Sequence, residues 1–212
     1  MPEHDPFVIT ISRQLGSGGA QIGRTVAAEL GIKYADRDIL EHAAKVLHAP
    51  AEELEAREEY APTFLEKILE TYSFGGPESM CTPVLDVPSY AEMRVAESNV
   101  IREIATFHSA VIVGRAGYHL LRSHRRHLSV FVHADLGFRV QRVREVCGFS
   151  GEQALRHIEA TDSARARYLL ELTGQPWTDA LQYDVTLCTS AVGLALAGQT
   201  ICQLGRARFG PA

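Results

Sequence analysis

The chain has 212 residues, which is enough for one sizeable hydrophobic core with a small inserted region. Hydrophobic residues make up 46% and charged residues 22%, an ordinary composition for a soluble globular protein. The formal net charge of −5 gives no overall attraction to nucleic acid or to a membrane surface, and no apolar run approaches the ~20 residues of a membrane span.

Five short stretches have the composition of strands, and they are Phe7–Ile11, Lys33–Ala35, Ala110–Val113, Leu128–Val132 and Asp184–Cys188. All but the second are near-continuous apolar or β-branched runs, as expected in a parallel sheet that is covered on both faces. Helical patterns lie between the stretches. We therefore predict a doubly wound, five-stranded parallel α/β fold flanked by helices, with right-handed crossovers.

A glycine-rich stretch, Ser12–Arg24, follows the first predicted strand. Within and behind it, Ile22, Val26 and Leu30 recur at helical spacing, and Gly31 stands where the helix is expected to end. Glycines let backbone N–H groups approach an anion closely, and the N-terminus of a helix adds a favourable dipole. The order of strand, glycine turn and helix therefore predicts a phosphate-binding loop.

Two registers of the P-loop pattern Gly-x4-Gly-Lys-[Ser/Thr] are possible in this loop. In the first, the pattern falls on Gly18 to Thr25, Arg24 replaces the lysine, and about two helical turns remain before Gly31. In the second, Gly16 to Gly19 form the loop and the helix begins near Gly19, with an ordinary length of about three turns. We favour the second register. It puts Gly19 at the lysine position, so the cation must come from elsewhere.

The later elements are predicted from composition and capping patterns. Residues 41–88 contain acidic and loop-like segments and are too long for a simple crossover, which predicts an insertion over one end of the sheet. A capping box at Ser89–Glu92 opens a helix, and another at Ser150–Gln153 opens a long helix that runs toward Leu172. A last helix is predicted from about Val192 to Leu204.

The sequence also bears on the compartment. The acidic N-terminal residues Met1–Asp5 do not resemble a signal peptide. The four cysteines form no Cys-x-x-Cys pair, so neither a zinc site nor a redox motif is indicated, and we expect reduced thiols. Together with the lack of a membrane-length apolar run, these features predict a cytoplasmic protein.

The motifs taken together resemble the cytidylate kinase-like family of P-loop kinases. The stretches that carry the resemblance are Ile11–Gly19, Tyr34–Leu40, Val113–Arg115, Phe131–Ala134, Asp162–Arg167 and Tyr183–Val185. Their order and spacing match over nearly the whole chain, although residues 41–88 match only weakly. The resemblance implies one P-loop kinase domain over residues 1–212, with an acceptor-binding insertion at about 41–88 and a helical lid at about 136–176.

The resemblance also implies that ATP and Mg²⁺ are used. The donor phosphates would then be held at Gly16, Ser17, Gly18, Gly19, Ala20 and Gln21. Arg139 and Arg142 would lie near the adenine and the phosphates, sharing one helix face. Arg165 and Arg167 would clamp the phosphates as catalytic groups when the lid closes. Because residues two apart face different ways on a helix, both serve only if the helix breaks or the phosphates lie between them.

The residue that would bind the acceptor follows the third strand. In the family, the arginine of a Gly-Arg-Asp sequence binds the phosphate of the monophosphate acceptor. This chain reads Gly114-Arg115-Ala116, so the arginine remains and the aspartate is missing. Arg115 is thus the candidate for binding the acceptor, whose identity the missing aspartate leaves open.

Phosphoryl transfer requires mainly positioning and positive charge around the transferring group. Arg13 would replace the missing lysine as a catalytic cation if its side chain folds back over the loop, whereas Arg24 is expected to face away from the phosphates. Asp36 and Asp38 follow the second strand, at the sheet edge where open α/β proteins bind ligands. They resemble the pair in small-metabolite kinases such as shikimate kinase, which implies that Asp36 holds Mg²⁺ through water and Asp38 contacts or activates the acceptor. Alternatively, Asp36 caps the following helix.

We therefore expect ATP-dependent phosphoryl transfer to a nucleoside monophosphate, CMP or dCMP. Two other functions stay open. A kinase for another small acceptor is favoured by the Asp36-x-Asp38 pair, and a catalytically silent nucleotide-binding regulator is favoured by Gly19 at the lysine position. The basic cluster Arg122–His127 is interpreted as a solvated loop, since no aromatic residue that could stack on bases lies near it. The expected partners are small nucleotides, and the oligomeric state is not predicted.

Overall fold

The computed structural model describes residues 5–36 and 91–210, with side chains from Val95 onward in the second range. The predicted insertion at 41–88, the candidate Asp38 and the capping box at Ser89 lie outside these residues.

The described strands form one parallel sheet in the order β2-β3-β1-β4-β5. They are β1 (Val8–Arg13), β2 (Lys33–Ala35), β3 (Ala110–Val113), β4 (His127–His133) and β5 (Val185–Cys188). The central strand β1 pairs with β3 on one side and with β4 on the other. The five-stranded parallel α/β fold predicted from the sequence is confirmed.

Helices occupy most of the remaining described chain. They are α1 (Gly19–Leu30), α2 (Ala91–Phe107), α3 (Gly117–Leu120), α4 (Leu136–Cys147), α5 (Gly151–Thr173), α6 (Thr189–Val192) and α7 (Leu194–Phe209). The capping box that opens α5 is complete, because Gln153 N–H donates to Ser150 Oγ at 3.2 Å and Ser150 N–H donates to Gln153 Oε1 at 2.8 Å. The single last helix predicted from about Val192 to Leu204 is wrong at its start, and α7 also continues five residues beyond Leu204 to Phe209. Gly193 has a φ of 79° and separates α6 from α7.

The core lies on both faces of the sheet, and β1 shows how the faces are divided. Ile9 and Ile11 are fully buried against glycines of α7 and α1 on one face, whereas Thr10 lies against Gly117 of α3 on the other. This alternation follows from the two-residue period of a strand. Each fully buried isoleucine contributes about 1.5–3 kcal/mol to the stability of the fold.

A second apolar cluster covers the other end of β4. The ring of Phe131 stacks on Tyr183 with centroids 5.1 Å apart and meets Trp177 edge-on at 5.6 Å. Trp177 is buried, and its main-chain carbonyl oxygen accepts a hydrogen bond from the Tyr183 hydroxyl at 2.7 Å. The tryptophan is therefore a packing residue of the segment that follows α5.

The described residues also bear on membrane-spanning helices and on the state of the cysteines. Over residues 5–36 and 91–210, no helix is both long enough and apolar enough to cross a membrane. Cys188 and Cys202 are free thiols, as expected. Cys147 is disulfide-bonded, so the expectation of reduced thiols is wrong at that position.

Candidate active site

The glycine loop joins β1 to α1 with the geometry of the second register. Gly16 and Gly18 have φ angles of 81° and 83°, which residues with a side chain rarely adopt. Helix α1 begins at Gly19, and the N–H of Ile22 donates to Gly18 O at 2.9 Å. The N–H groups of the first turn, on Gly19, Ala20 and Gln21, precede that bond and have no intrahelical acceptor. They form the open end of the loop.

Neighbouring elements press against the loop from outside. A Cβ atom on Gly16 would lie 2.7 Å from the main-chain oxygen of Arg139, and one on Gly18 would collide with the side chain of Leu194. Ser17 is fully buried, and its Oγ donates to the carbonyl oxygens of Gln14 at 2.8 Å and Val132 at 3.1 Å. The hydroxyl of Ser17 therefore shapes the loop, while the glycines let helices α4 and α7 approach it.

The side chain of Arg13 crosses the loop. A Cβ atom on Gly19 would lie 2.6 Å from Cβ and 2.8 Å from Cγ of Arg13, so the arginine stem lies directly over that glycine. At its far end, the guanidinium lies beside Gly114, whose added Cβ would be 3.2 Å from Arg13 Cζ. The side chain thus runs from the end of β1, over the start of α1, to the end of β3.

Asp162 of α5 connects the long helix to the loop. Its Oδ1 accepts the backbone N–H of Leu15 at 2.9 Å, and its Oδ2 accepts Nη1 of Arg139 at 2.5 Å. Arg165 lies 3.5 Å from the same carboxylate and donates to the main-chain oxygen of Arg13 at 3.1 Å. One carboxylate therefore lies between two guanidinium groups, and together they hold α4 and α5 against the loop.

The other two candidate arginines of the predicted lid differ in position. Arg142 donates to the side chain of Gln21, in the first turn of α1, at 3.0 Å. Arg139, which also donates to Leu15 O at 3.4 Å, and Arg142 therefore both contact the loop region from α4. Arg167 is exposed on α5, which is continuous from Gly151 to Thr173, so it points away from the face that carries Arg165. Arg165, on the other face, contacts the main-chain oxygen of Arg13.

Asp36, the first residue after β2, is buried in a small polar cluster. Its Oδ2 lies 3.4 Å from Nη2 of Arg24 and accepts the hydroxyl of Tyr34 at 3.2 Å. The Arg24 guanidinium also lies over the Tyr34 ring, 5.3 Å from its centroid. Burial and the neighbouring Asp36 carboxylate raise the pKa of Tyr34, so its hydroxyl stays protonated and donates to Asp36.

Arg115 lies in an unusual turn at the end of β3. Gly114, Arg115 and Ala116 have φ angles of 86°, 48° and 56°, and such a conformation costs a non-glycine residue about 1–3 kcal/mol. Nη2 of Arg115 lies 3.1 Å from Oε1 of Glu97, whose side chain is buried in α2. The turn and the ion pair together fix the direction of the arginine.

Three of the predicted residues converge on one edge of the sheet. Arg13 is the last residue of β1, Asp36 directly follows β2, and Arg115 lies two residues after β3. These three strands are neighbours in the sheet, in the order β2-β3-β1. Because the strands are parallel, these ends lie side by side, next to the glycine loop. The arrangement combines open backbone N–H groups with two guanidinium groups and a carboxylate, which suits the binding of phosphates.

Sequence reasoning did not identify Glu97 and Tyr34 as parts of this site. Glu97 occupies an apolar-face position of α2, since it precedes Val100 and Ile104 at helical spacing. A carboxylate at such a position needs a partner of opposite charge. That signal could have linked Glu97 to Arg115. The contact between Tyr34 and Asp36 arises from the way the chain leaves β2 after Ala35. The spacing of residues in the sequence does not predict it.

Comparisons with known proteins give a family match and similar folds. The cytidylate kinase-like family matches residues 8–191 of the chain. A crystal structure of an uncharacterized protein from Eubacterium ventriosum ATCC 27560 is 20% identical, with a TM-score of 0.71 over 95% of this chain and 99% of that chain. Shikimate kinase from Bacteroides thetaiotaomicron is 18% identical, with a TM-score of 0.51 over 93% and 97% of the two chains. At these identities the structural likeness shows the fold alone, that of P-loop kinases. No curated protein matches the chain.

Proposed function

Because this chain belongs to the cytidylate kinase-like family and is a nucleotide-type kinase, we propose that it transfers the γ-phosphoryl group of ATP to CMP or dCMP. The observation that supports this proposal is the position of Arg13 and Arg115 beside the glycine loop, at the ends of adjacent strands. We place the reaction in the cytoplasm, with small nucleotides as the partners.

The donor phosphates would bind at the open end of the glycine loop. The N–H groups at Gly16, Gly18, Gly19, Ala20 and Gln21 are the proposed donors. The N-terminus of α1 adds a favourable dipole for an anion. Arg139 and Arg142 stand on the neighbouring helix and would supply charge near the nucleotide. Their contacts to Asp162 and Gln21 keep both side chains at the loop.

The residues present fit a magnesium ion that is held mainly by phosphates and water. Mg²⁺ commonly takes only one or two carboxylates from the protein. Asp36 is the proposed carboxylate, acting through a water molecule, and Tyr34 and Arg24 hold its Oδ2 in place. Ala20 occupies the Ser/Thr position of the P-loop pattern, so a hydroxyl ligand is missing there. When bound, the ion would shield the phosphate charges during transfer.

The acceptor would bind at the ends of β2 and β3. Arg115 is the proposed ligand of its phosphate, and Glu97 holds the guanidinium in position. Asp38 stays a proposed acceptor contact. Arg165 and Arg167 stay proposed catalytic cations, and the contact between Arg165 and Arg13 O favours Arg165.

A kinase for another small acceptor is the second candidate. Ala116, which replaces the aspartate of the family sequence, is buried against the aromatic cluster that contains Tyr118 and Phe131. No carboxylate therefore follows Arg115 in this chain, unlike in the family sequence. This substitution favours an acceptor that differs from CMP.

The experiment that tests the proposal measures ADP release from ATP and Mg²⁺ with a panel of nucleoside monophosphates and small alcohols. Turnover restricted to CMP or dCMP supports the first candidate. Turnover only with a non-nucleotide acceptor contradicts the CMP proposal and supports the second. ATP binding without turnover on any acceptor contradicts both and indicates a regulator.

A further inference from the structure

This inference rests on the proposed kinase function. We propose that Arg13 supplies the cation that the P-loop pattern has at position 19, and that Gly19 supplies the small residue that the pattern has at position 13. The small residue and the cation of the usual pattern have changed places. The Arg13 guanidinium would then reach the phosphates from the end of β1 and bridge the donor and acceptor sides. Gly19 and Gly114 are the two positions that leave space for its side chain.

The exchange follows from the register that the structure fixes. With α1 starting at Gly19, the pattern Gly-x4-Gly-Lys-[Ser/Thr] falls on Arg13, Gly18, Gly19 and Ala20. Arg13 stands where the pattern has its first glycine, and Gly19 stands where it has the lysine. The loop therefore keeps one cation and one residue without a side chain, at opposite positions.

Packing makes the two positions interdependent. The stem of Arg13 occupies the space into which any side chain at Gly19 would extend, since an added Cβ would be 2.6 Å from Arg13 Cβ. A separation below about 3 Å between such atoms forces one of them to move, and here both belong to the loop. A lysine at position 19 is thus incompatible with the observed arginine. Conversely, the cation at position 13 requires a glycine at position 19.

The far end of the side chain gives the arginine its bridging position. Its guanidinium lies against Gly114, directly before the proposed acceptor ligand Arg115. The main chain of Arg13 is fixed by the hydrogen bond from Arg165 to its carbonyl oxygen at 3.1 Å. A guanidinium presents several N–H donors in one plane and can contact two phosphates at once, whereas an ammonium group acts as a point charge.

The test measures the affinity of the full-length protein for ATP and Mg²⁺ by displacement of a fluorescent ATP analogue. The variants are Arg13→Ala, Gly19→Lys and the double variant Arg13→Gly with Gly19→Lys. We expect each single substitution to weaken binding by about tenfold or more, as for the loss of a charge-assisted hydrogen bond. The double variant restores the glycine and the lysine of the usual pattern, with Ala20 unchanged, and should recover most of the loss. Arg102→Ala, an exposed charge on α2, is the matched control.

Gly114→Ala provides a second route that leaves the arginine in the chain. The added methyl group should displace the Arg13 guanidinium and weaken the binding of ATP. The control is Gly31→Ala, because Gly31 also has a positive φ but no atom lies within 4 Å of an added Cβ. Melting temperatures confirm that the variants are folded. If the wild type does not bind ATP, the proposed function fails as well. If the wild type binds ATP but Arg13→Ala and Gly114→Ala bind it equally well, only the exchange is wrong.

Discussion

The carboxylate of Asp162 accepts the backbone N–H of Leu15 at 2.9 Å, which joins the middle of α5 to the glycine loop. The same carboxylate pairs with the buried guanidinium of Arg139. Helix α5 and the loop are therefore connected through the carboxylate of Asp162. A rigid loop keeps its N–H groups aimed at one point, so Asp162 connects packing with the proposed phosphate site.

Asp162→Asn should lower both stability and nucleotide affinity. The amide can still accept the Leu15 N–H, but Arg139 loses its counter-charge while it remains buried. Breaking such a pair costs about 3 kcal/mol when the partner stays buried. Urea unfolding measures the loss of stability, and displacement of a fluorescent ATP analogue measures affinity. Glu152→Gln removes an exposed partner of Arg156 and is the control, for which no measurable change is expected. Equal stability of the two variants would contradict the prediction.

Tyr34→Phe should change the dependence of activity on magnesium. The substitution removes the hydroxyl that donates to Asp36 Oδ2 at 3.2 Å and leaves the ring in place. Loss of one such bond costs about 1 kcal/mol, and a less well oriented carboxylate should raise the Mg²⁺ concentration for half-maximal ADP release. Tyr118→Phe, whose hydroxyl contacts Gln182 instead, is the control. An unchanged magnesium requirement would contradict a role of Asp36 in holding the metal ion.

Arg115→Lys should weaken the binding of the acceptor and leave the binding of ATP unaffected. Lysine keeps the charge for Glu97 but loses the planar donor set that binds two phosphate oxygens. We expect the KM for the acceptor to rise by about tenfold, which corresponds to about 1.4 kcal/mol, with little change in the KM for ATP. Initial rates of ADP release at varied concentrations of each substrate measure both. A rise confined to the KM for ATP would assign Arg115 to the donor side.

The start of α1 could be predicted from the sequence because helix length and apolar spacing are local properties. Gly19 had to begin the helix if Ile22 was to join its buried face, and the structure confirms this. The four strands other than β2 were predictable for the same reason. Their apolar runs depend only on burial within the sheet.

Contacts between distant segments could not be predicted in this way. The bond between Asp162 and Leu15 joins residues 147 positions apart, and spacing carries no signal for it. Arg24 was expected to face away from the phosphates, but its partner Asp36 was not foreseen, because that pairing depends on how α1 lies against the end of β2. The break at Gly193 was missed since glycine also occurs within helices at moderate cost.

His127 should make the protein less stable in mildly acidic solution. Its Nε2 lies 2.7 Å from Thr10 Oγ1 inside the sheet, and burial lowers the pKa of His127 to about 4. In the unfolded chain the pKa of a histidine is about 6.5. Between about pH 4 and 6.5 the imidazole is therefore protonated in the unfolded chain and neutral in the folded chain. This contribution to stability is thus complete above pH 6.5 and is lost as the pH falls toward 4, by up to about 3 kcal/mol.

The measurement is the free energy of unfolding in urea at pH 7 and pH 4.5, compared between the wild type and His127→Gln. Carboxylates also titrate in this range, so the difference between the two proteins isolates the histidine. The wild type should lose more stability than the variant on acidification, because only the wild type must protonate an imidazole on unfolding. His133→Gln, a half-buried histidine at the other end of β4, is the matched control. If wild type and His127→Gln lose equal stability, the imidazole is accessible to protons in the folded state.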